Sequence, residues 1–74
     1  MPKGDALLKL FDDYVVIQSP YHEKFIAELK EAIPPEDRMW VPEDKVWEVS
    51  GDFWEEVHSL MCWYFNVRVE IVNA

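Results

Sequence analysis

An α+β fold is the class this sequence predicts, and three patterns predict it. Val67-Arg68-Val69-Glu70-Ile71 alternates strictly between apolar and charged residues, the mark of a half-buried strand. Tyr21, Phe25, Ile26, Leu29 and Ile33 recur at helical spacing, with Glu23, Lys24, Glu28, Lys30 and Glu31 on the opposite face. Arg38-Met39-Trp40-Val41 and Val46-Trp47-Glu48-Val49 flank the turn-rich tetrapeptide Pro42-Glu43-Asp44-Lys45, as two strands flank a hairpin loop.

The first element is a hairpin of Leu7-Leu8-Lys9-Leu10-Phe11 and Tyr14-Val15-Val16-Ile17-Gln18 around Asp12-Asp13. A first-turn helix over Asp5 to Phe11 competes with it. Ser19-Pro20 marks a helix start, with Ser19 as N-cap and Pro20 at the first helical position. Pro34-Pro35 stops that helix, because proline lacks the amide donor and restricts the residue before it. In the following hairpin, pairing Val41 with Val46 sets Trp40 opposite Trp47 and Arg38 opposite Val49. Both indoles then share one sheet face, and Met39, Val41, Val46 and Glu48 take the other.

Asp52 starts the second helix, with Glu55 reaching back in a capping box. Its apolar face is Phe53, Val57, Leu60, Met61 and Tyr64, with Trp54 and Phe65 at the shoulder. Cys62 lies off that face, and Trp63 falls among Glu56 and Ser59 on the wet side. The order is β-β-α-β-β-α-β. Without the first strand it is the split βαβ arrangement of ferredoxin-like folds. An antiparallel-rich sheet of four or five strands carries both helices on one face, since each helix has a single apolar stripe to bury.

Residues 1–74 make one domain, with no repeat, linker or low-complexity segment. A chain this short needs a dense core or a staple, and a lone cysteine, Cys62, rules out an intramolecular disulfide. Four Trp, four Phe and three Tyr supply the apolar area instead. One thiol, an opening Met1-Pro2-Lys3-Gly4-Asp5 without signal-peptide character, and no run of about 20 apolar residues place the chain in the cytoplasm, off the membrane. The net charge of −8 keeps an aromatic-rich domain in solution and opposes binding to phosphate backbones.

The middle of the chain resembles a known family. Ser19-Pro20-Tyr21-His22, then Phe25-Ile26-Ala27-Glu28-Leu29-Lys30, then Arg38-x-Trp40-x-Pro42-x-x-Lys45-x-Trp47-x-Val49 is similar to the HARP (HepA-related protein) domain of annealing helicases, which has small stand-alone and phage-borne relatives. The likeness runs over roughly residues 14 to 72 in order and spacing. It implies a non-enzymatic binding module accessory to DNA transactions, acting through a protein partner or forked DNA. By position, Arg38 and Lys45 match the family's basic residues, and Trp40 and Trp47 its hairpin aromatics. This chain departs from the family in carrying Glu36, Asp37, Glu43 and Asp44 around the same hairpin.

The bland reading of the Trp40–Trp47 pair is burial under the helices, and it outweighs base stacking because two opposed indoles are much apolar area to leave wet. The expected core is Trp40, Trp47, Phe25, Leu29, Phe53, Val57, Leu60, Met61 and Tyr64. Met39, Val41 and Val46 on the open sheet face, with Trp63 on the second helix, then form a surface for a protein partner or a homodimer. Arg68 and Glu70 give it a polar rim. His58 and Cys62 are helical neighbours at ligand spacing, but only His22 remains as a third donor, so no metal or cofactor is expected and Cys62 reads as a buried small hydrophobe. No phosphate loop, serine elbow or HExxH motif occurs, and the paired acids sit at turns and helix starts, so no enzyme is expected. A different class stays in play: an acidic, phage-like inhibitor occupying a basic nucleic-acid site on a target protein.

Overall fold

The computed structural model describes residues 4–72; Met1–Lys3, part of the opening read for a signal pattern, lie outside them. The elements are β1 (Gly4–Leu10), β2 (Tyr14–Gln18), α1 (Glu23–Ala32), β3 (Arg38–Val41), β4 (Val46–Ser50), α2 (Trp54–Tyr64) and β5 (Phe65–Ile71). Short 3-10 turns at Pro35–Asp37 and Gly51–Phe53 lead into β3 and α2. The five strands form one sheet in the order β3-β4-β2-β1-β5.

The expected α+β architecture is present, and the first segment is strand rather than helix. Taking β1 away leaves β3-β4-β2-β5, the split βαβ order. The structure wedges β1 into that sheet, antiparallel to β2 and parallel to β5. Leu8, between both neighbours, is completely buried, with Ala6 on the same face. The β3–β4 register is the expected one: Trp40 faces Trp47, Arg38 faces Val49, and Val41 faces Val46.

Both helices start later than their sequence signals. Ser19 and Pro20 lie ahead of α1, and His22 is its N-cap, accepting the Phe25 N–H at Nδ1 over 3.2 Å. The imidazole packs 4.7 Å from Tyr64 and 5.9 Å edge-on to Phe65, so tertiary packing holds the cap in place. Asp52 does not cap α2, whose N-cap Phe53 makes no side-chain bond. The 3-10 turn before it instead ties the Gly51 N–H to the Asp13 carbonyl at 3.0 Å. A Cβ at Gly51 would stand 3.1 Å from that oxygen, tighter than ordinary contact, so glycine suits this approach.

The core lies between the helices and one sheet face. Phe25, Leu29 and Ile33 meet Val57 and Met61 over Leu8, Val15, Ile17, Val49 and Phe65. Phe25 and Phe65 pack edge-on at 5.1 Å. Trp47, Phe53, Leu60 and Tyr64 join as partly buried flanks, and the Tyr64 hydroxyl donates to the Glu28 carboxylate, joining the two helices.

Three expectations need correction. Trp40 points to the helix side as expected, yet it is 46% exposed, because β3 is an edge strand that the helices leave largely uncovered. Val46, expected outside, is only 8% exposed. It sits beside the turn, paired with Val41, in a shallow hollow with Val16, Gln18, Asp44 and Glu48. Cys62 is exposed rather than buried, since it lies off the apolar stripe of α2.

Two of these placements have measurable effects on stability. Phe25→Ala, at a fully buried ring, should cost about 3–5 kcal/mol in chemical denaturation, much of an ordinary domain's stability. Lys45 closes the β3–β4 turn at φ 55°, where a β-carbon crowds the backbone, so Lys45→Gly should raise stability by about 0.5–1 kcal/mol in the same assay.

Candidate functional site

The β3–β4 hairpin and the segment ahead of α1 build an aromatic pocket of about 480 Å³. Register places Trp40 and Trp47 side by side, their rings 5.4 Å apart and tilted by 54°. Ile17 and Ile26 contribute apolar wall, Pro20, Tyr21 and Pro42 line the approach, and Lys45 stands among them. Trp47 is half-buried against the core and anchors the pair, while Trp40 offers its indole to solvent. The Lys30 ammonium lies 5.9 Å from the centre of the Trp47 ring, a cation–π contact from α1.

The predicted contact residues divide. Lys45 lies at this pocket. Arg38 does not join it as a free cation: it is half-buried, and its Nε donates to the Ile33 carbonyl at 3.0 Å, satisfying an acceptor at the end of α1. Met39 is exposed on the opposite sheet face, Val41 half-buried there and Val46 buried, so the expected apolar patch shrinks to Met39. Trp63 is 75% exposed and belongs to a different place. It lines a shallow groove of about 740 Å³ between α1 and α2 with Leu60, Ala32, Glu28, Glu31, Glu55 and Glu56.

Sequence reasoning missed Tyr21, which helical spacing assigned to the apolar stripe of α1. The helix begins two residues later, leaving the phenol exposed at the pocket. The signal was the proline just before it, which favours extended chain as readily as a first helical turn. Helical position did place Trp63 beside Glu56 and Ser59, but the acids of α1 that complete its groove come from packing alone.

His58 and Cys62 are neighbours on α2, with Nε2 and Sγ 3.6 Å apart. Among the described residues no group of three His, Cys, Asp or Glu side chains is placed to hold a metal ion, and no helix is long and apolar enough to cross a membrane. The pocket's chemistry is therefore that of flat, apolar contact with a cation at its edge. In comparisons with protein-family models, curated proteins and solved structures, nothing matches this chain.

Proposed function

We propose that the chain is a non-enzymatic binding module resembling the HARP domain, accessory to DNA transactions, whose aromatic pocket receives a segment of a protein partner. The observation that carries this reading is the open Trp40–Trp47–Tyr21 pocket beside an otherwise well-filled core. An exposed indole (Trp40) and phenol (Tyr21) beside a half-buried anchor (Trp47) are the composition of an interface hot spot. Proline and aromatic walls suit an extended partner segment, which loses little conformational entropy on docking. Electrostatics favours protein over nucleic acid here. Arg38 is engaged with Ile33, and Glu43 and Asp44 share the turn with Lys45, so few cations remain to displace counterions from a phosphate backbone.

A second reading, the acidic inhibitor of a basic nucleic-acid site, is favoured by the α1–α2 groove, where four glutamates surround Trp63. The two readings use different surfaces, so variants separate them. Binding of an annealing-helicase motor is measured by calorimetry with wild type, Trp40→Ala, and Trp63→Ala combined with Glu28→Gln and Glu56→Gln. The pocket reading expects Trp40→Ala to weaken binding by about thirtyfold, as hot-spot indoles do, and the groove variant to bind normally. Loss only in the groove variant would transfer the function to the second reading; no binding by wild type would retire the helicase link. Forked DNA should bind weakly and release at physiological salt. Tight, salt-resistant binding would instead give the pocket to DNA.

A further inference from the structure

Among the described residues, β5 is an edge strand of seven residues, held by β1 on one side and open on the other. Its hydrogen-bonding phase is set by one contact: the Val72 N–H donates to the Leu10 carbonyl at 2.9 Å. Backbone groups alternate along a strand, so Glu70 and Arg68 also turn toward β1. Val67, Val69 and Ile71 then point both their N–H and their C=O at the open edge. The same residues place side chains on the helix side, where cover runs out along the strand. Phe65 is buried and Val67 half-buried, but Val69 is 43% and Ile71 72% exposed. Trp54, itself exposed, lines a cleft with Leu10, the pairing partner of Ile71.

We propose that a second copy of this chain pairs with β5 in antiparallel fashion about a two-fold axis at Val69. The sequence around that axis is self-complementary. Val69 meets its own copy, Val67 meets Ile71, and Arg68 meets Glu70 twice, once on each side of the axis. All three apolar pairings fall where the backbone groups face outward, so each exchanges hydrogen bonds across the axis. Shifting the axis by one residue sets Arg68 against Arg68 or Glu70 against Glu70, which like-charge repulsion opposes. Proteins blunt open edges with lone charges, chiefly lysine, that repel a second strand; here the two charges are of opposite sign and spaced to attract their own copies. The axis is perpendicular to the sheet, so the product is one continuous sheet with both helix layers on the same side, and the exposed ends of the two apolar strips meet at the seam. This surface is separate from the aromatic pocket and independent of its ligand.

The test is oligomeric state by sedimentation and by light scattering after size exclusion, over a concentration series reaching about 1 mM. Wild type should dimerise. Arg68→Glu alone and Glu70→Arg alone each set like charges across the axis and should raise the dissociation constant about tenfold or more. The double exchange, Arg68→Glu with Glu70→Arg, restores opposite charges and should restore the dimer. Both positions are exposed, and circular dichroism checks that each variant is folded. As a second measurement, Val69→Cys in a Cys62→Ser background should form a disulfide-linked dimer on mild oxidation, because paired α-carbons at a hydrogen-bonded antiparallel site are about 5.5 Å apart. A wild type that stays monomeric throughout overturns the proposal, as does a dimer indifferent to the single and double exchanges.

Discussion

Because β1 enters the sheet between β2 and β5, the C-terminal strand is bonded along one flank and stands a strand's width from β2, its neighbour in the split βαβ order. That insertion governs most of the remaining architecture. It makes Leu8 the interior of the sheet, and it turns β5 parallel to its neighbour. It also widens the sheet beyond what two short helices can roof. Ten and eleven residues of helix cover the middle strands fully and both margins poorly. The core is consequently dense at the centre, where Phe25, Met61 and Phe65 meet, and open at Trp40 on one margin and Val69 and Ile71 on the other.

The two margins differ in chemistry. At β3 the uncovered residues are aromatic and lie beside prolines and a lysine, and the strand is short. At β5 they are aliphatic, on a longer strand with an open backbone and alternating charge. An aromatic pocket selects by shape and stacking, whereas a strand edge selects by register and hydrogen-bond phase. Between them, on the roof, the groove at Trp63 has carboxylates from both helices. The groove gathers four of the chain's fifteen carboxylates, while the β3–β4 turn carries a mixture in which Glu43 and Asp44 outweigh Lys45.

Much of the fold was legible because local patterns and tertiary demands agree. The hairpin register came from the turn tetrapeptide alone, since period-two alternation leaves one pairing that keeps apolar residues together. Phe25, Leu29, Val57 and Met61 were readable as core from helical spacing, and they are buried. The misreadings share a cause. Ser19-Pro20 and Asp52 carry the chemistry of helix caps, but His22 packing on Tyr64, and Gly51 pulled onto Asp13, move the starts inward. Periodicity put Trp40 on the correct face without revealing that this face is bare at the edge. Val46 erred in the opposite sense, because it lies at the turn in a hollow that Val16 and Gln18 of β2, distant in sequence, help to line. Of the pocket, only Lys45 was read as a contact residue, while Trp40 and Trp47 were read as core; Tyr21 and the glutamates of α1 depended on the packing of elements that the linear pattern does not specify.

The placement of the indoles has an optical consequence. None of the four tryptophans belongs to the fully buried core: Trp40, Trp54 and Trp63 are exposed, and Trp47 only half-covered. They occupy the pocket, the cleft beside Leu10 and the Asp12–Asp13 turn, and the roof groove, so the near-ultraviolet emission of this chain reports on its surfaces rather than its interior. Unfolding changes the surroundings of these rings less than it would those of a buried indole. Their emission is thus a poor thermometer of the fold and a sensitive witness to whatever settles on it, with Trp40, Trp54 and Trp63 each watching a different face.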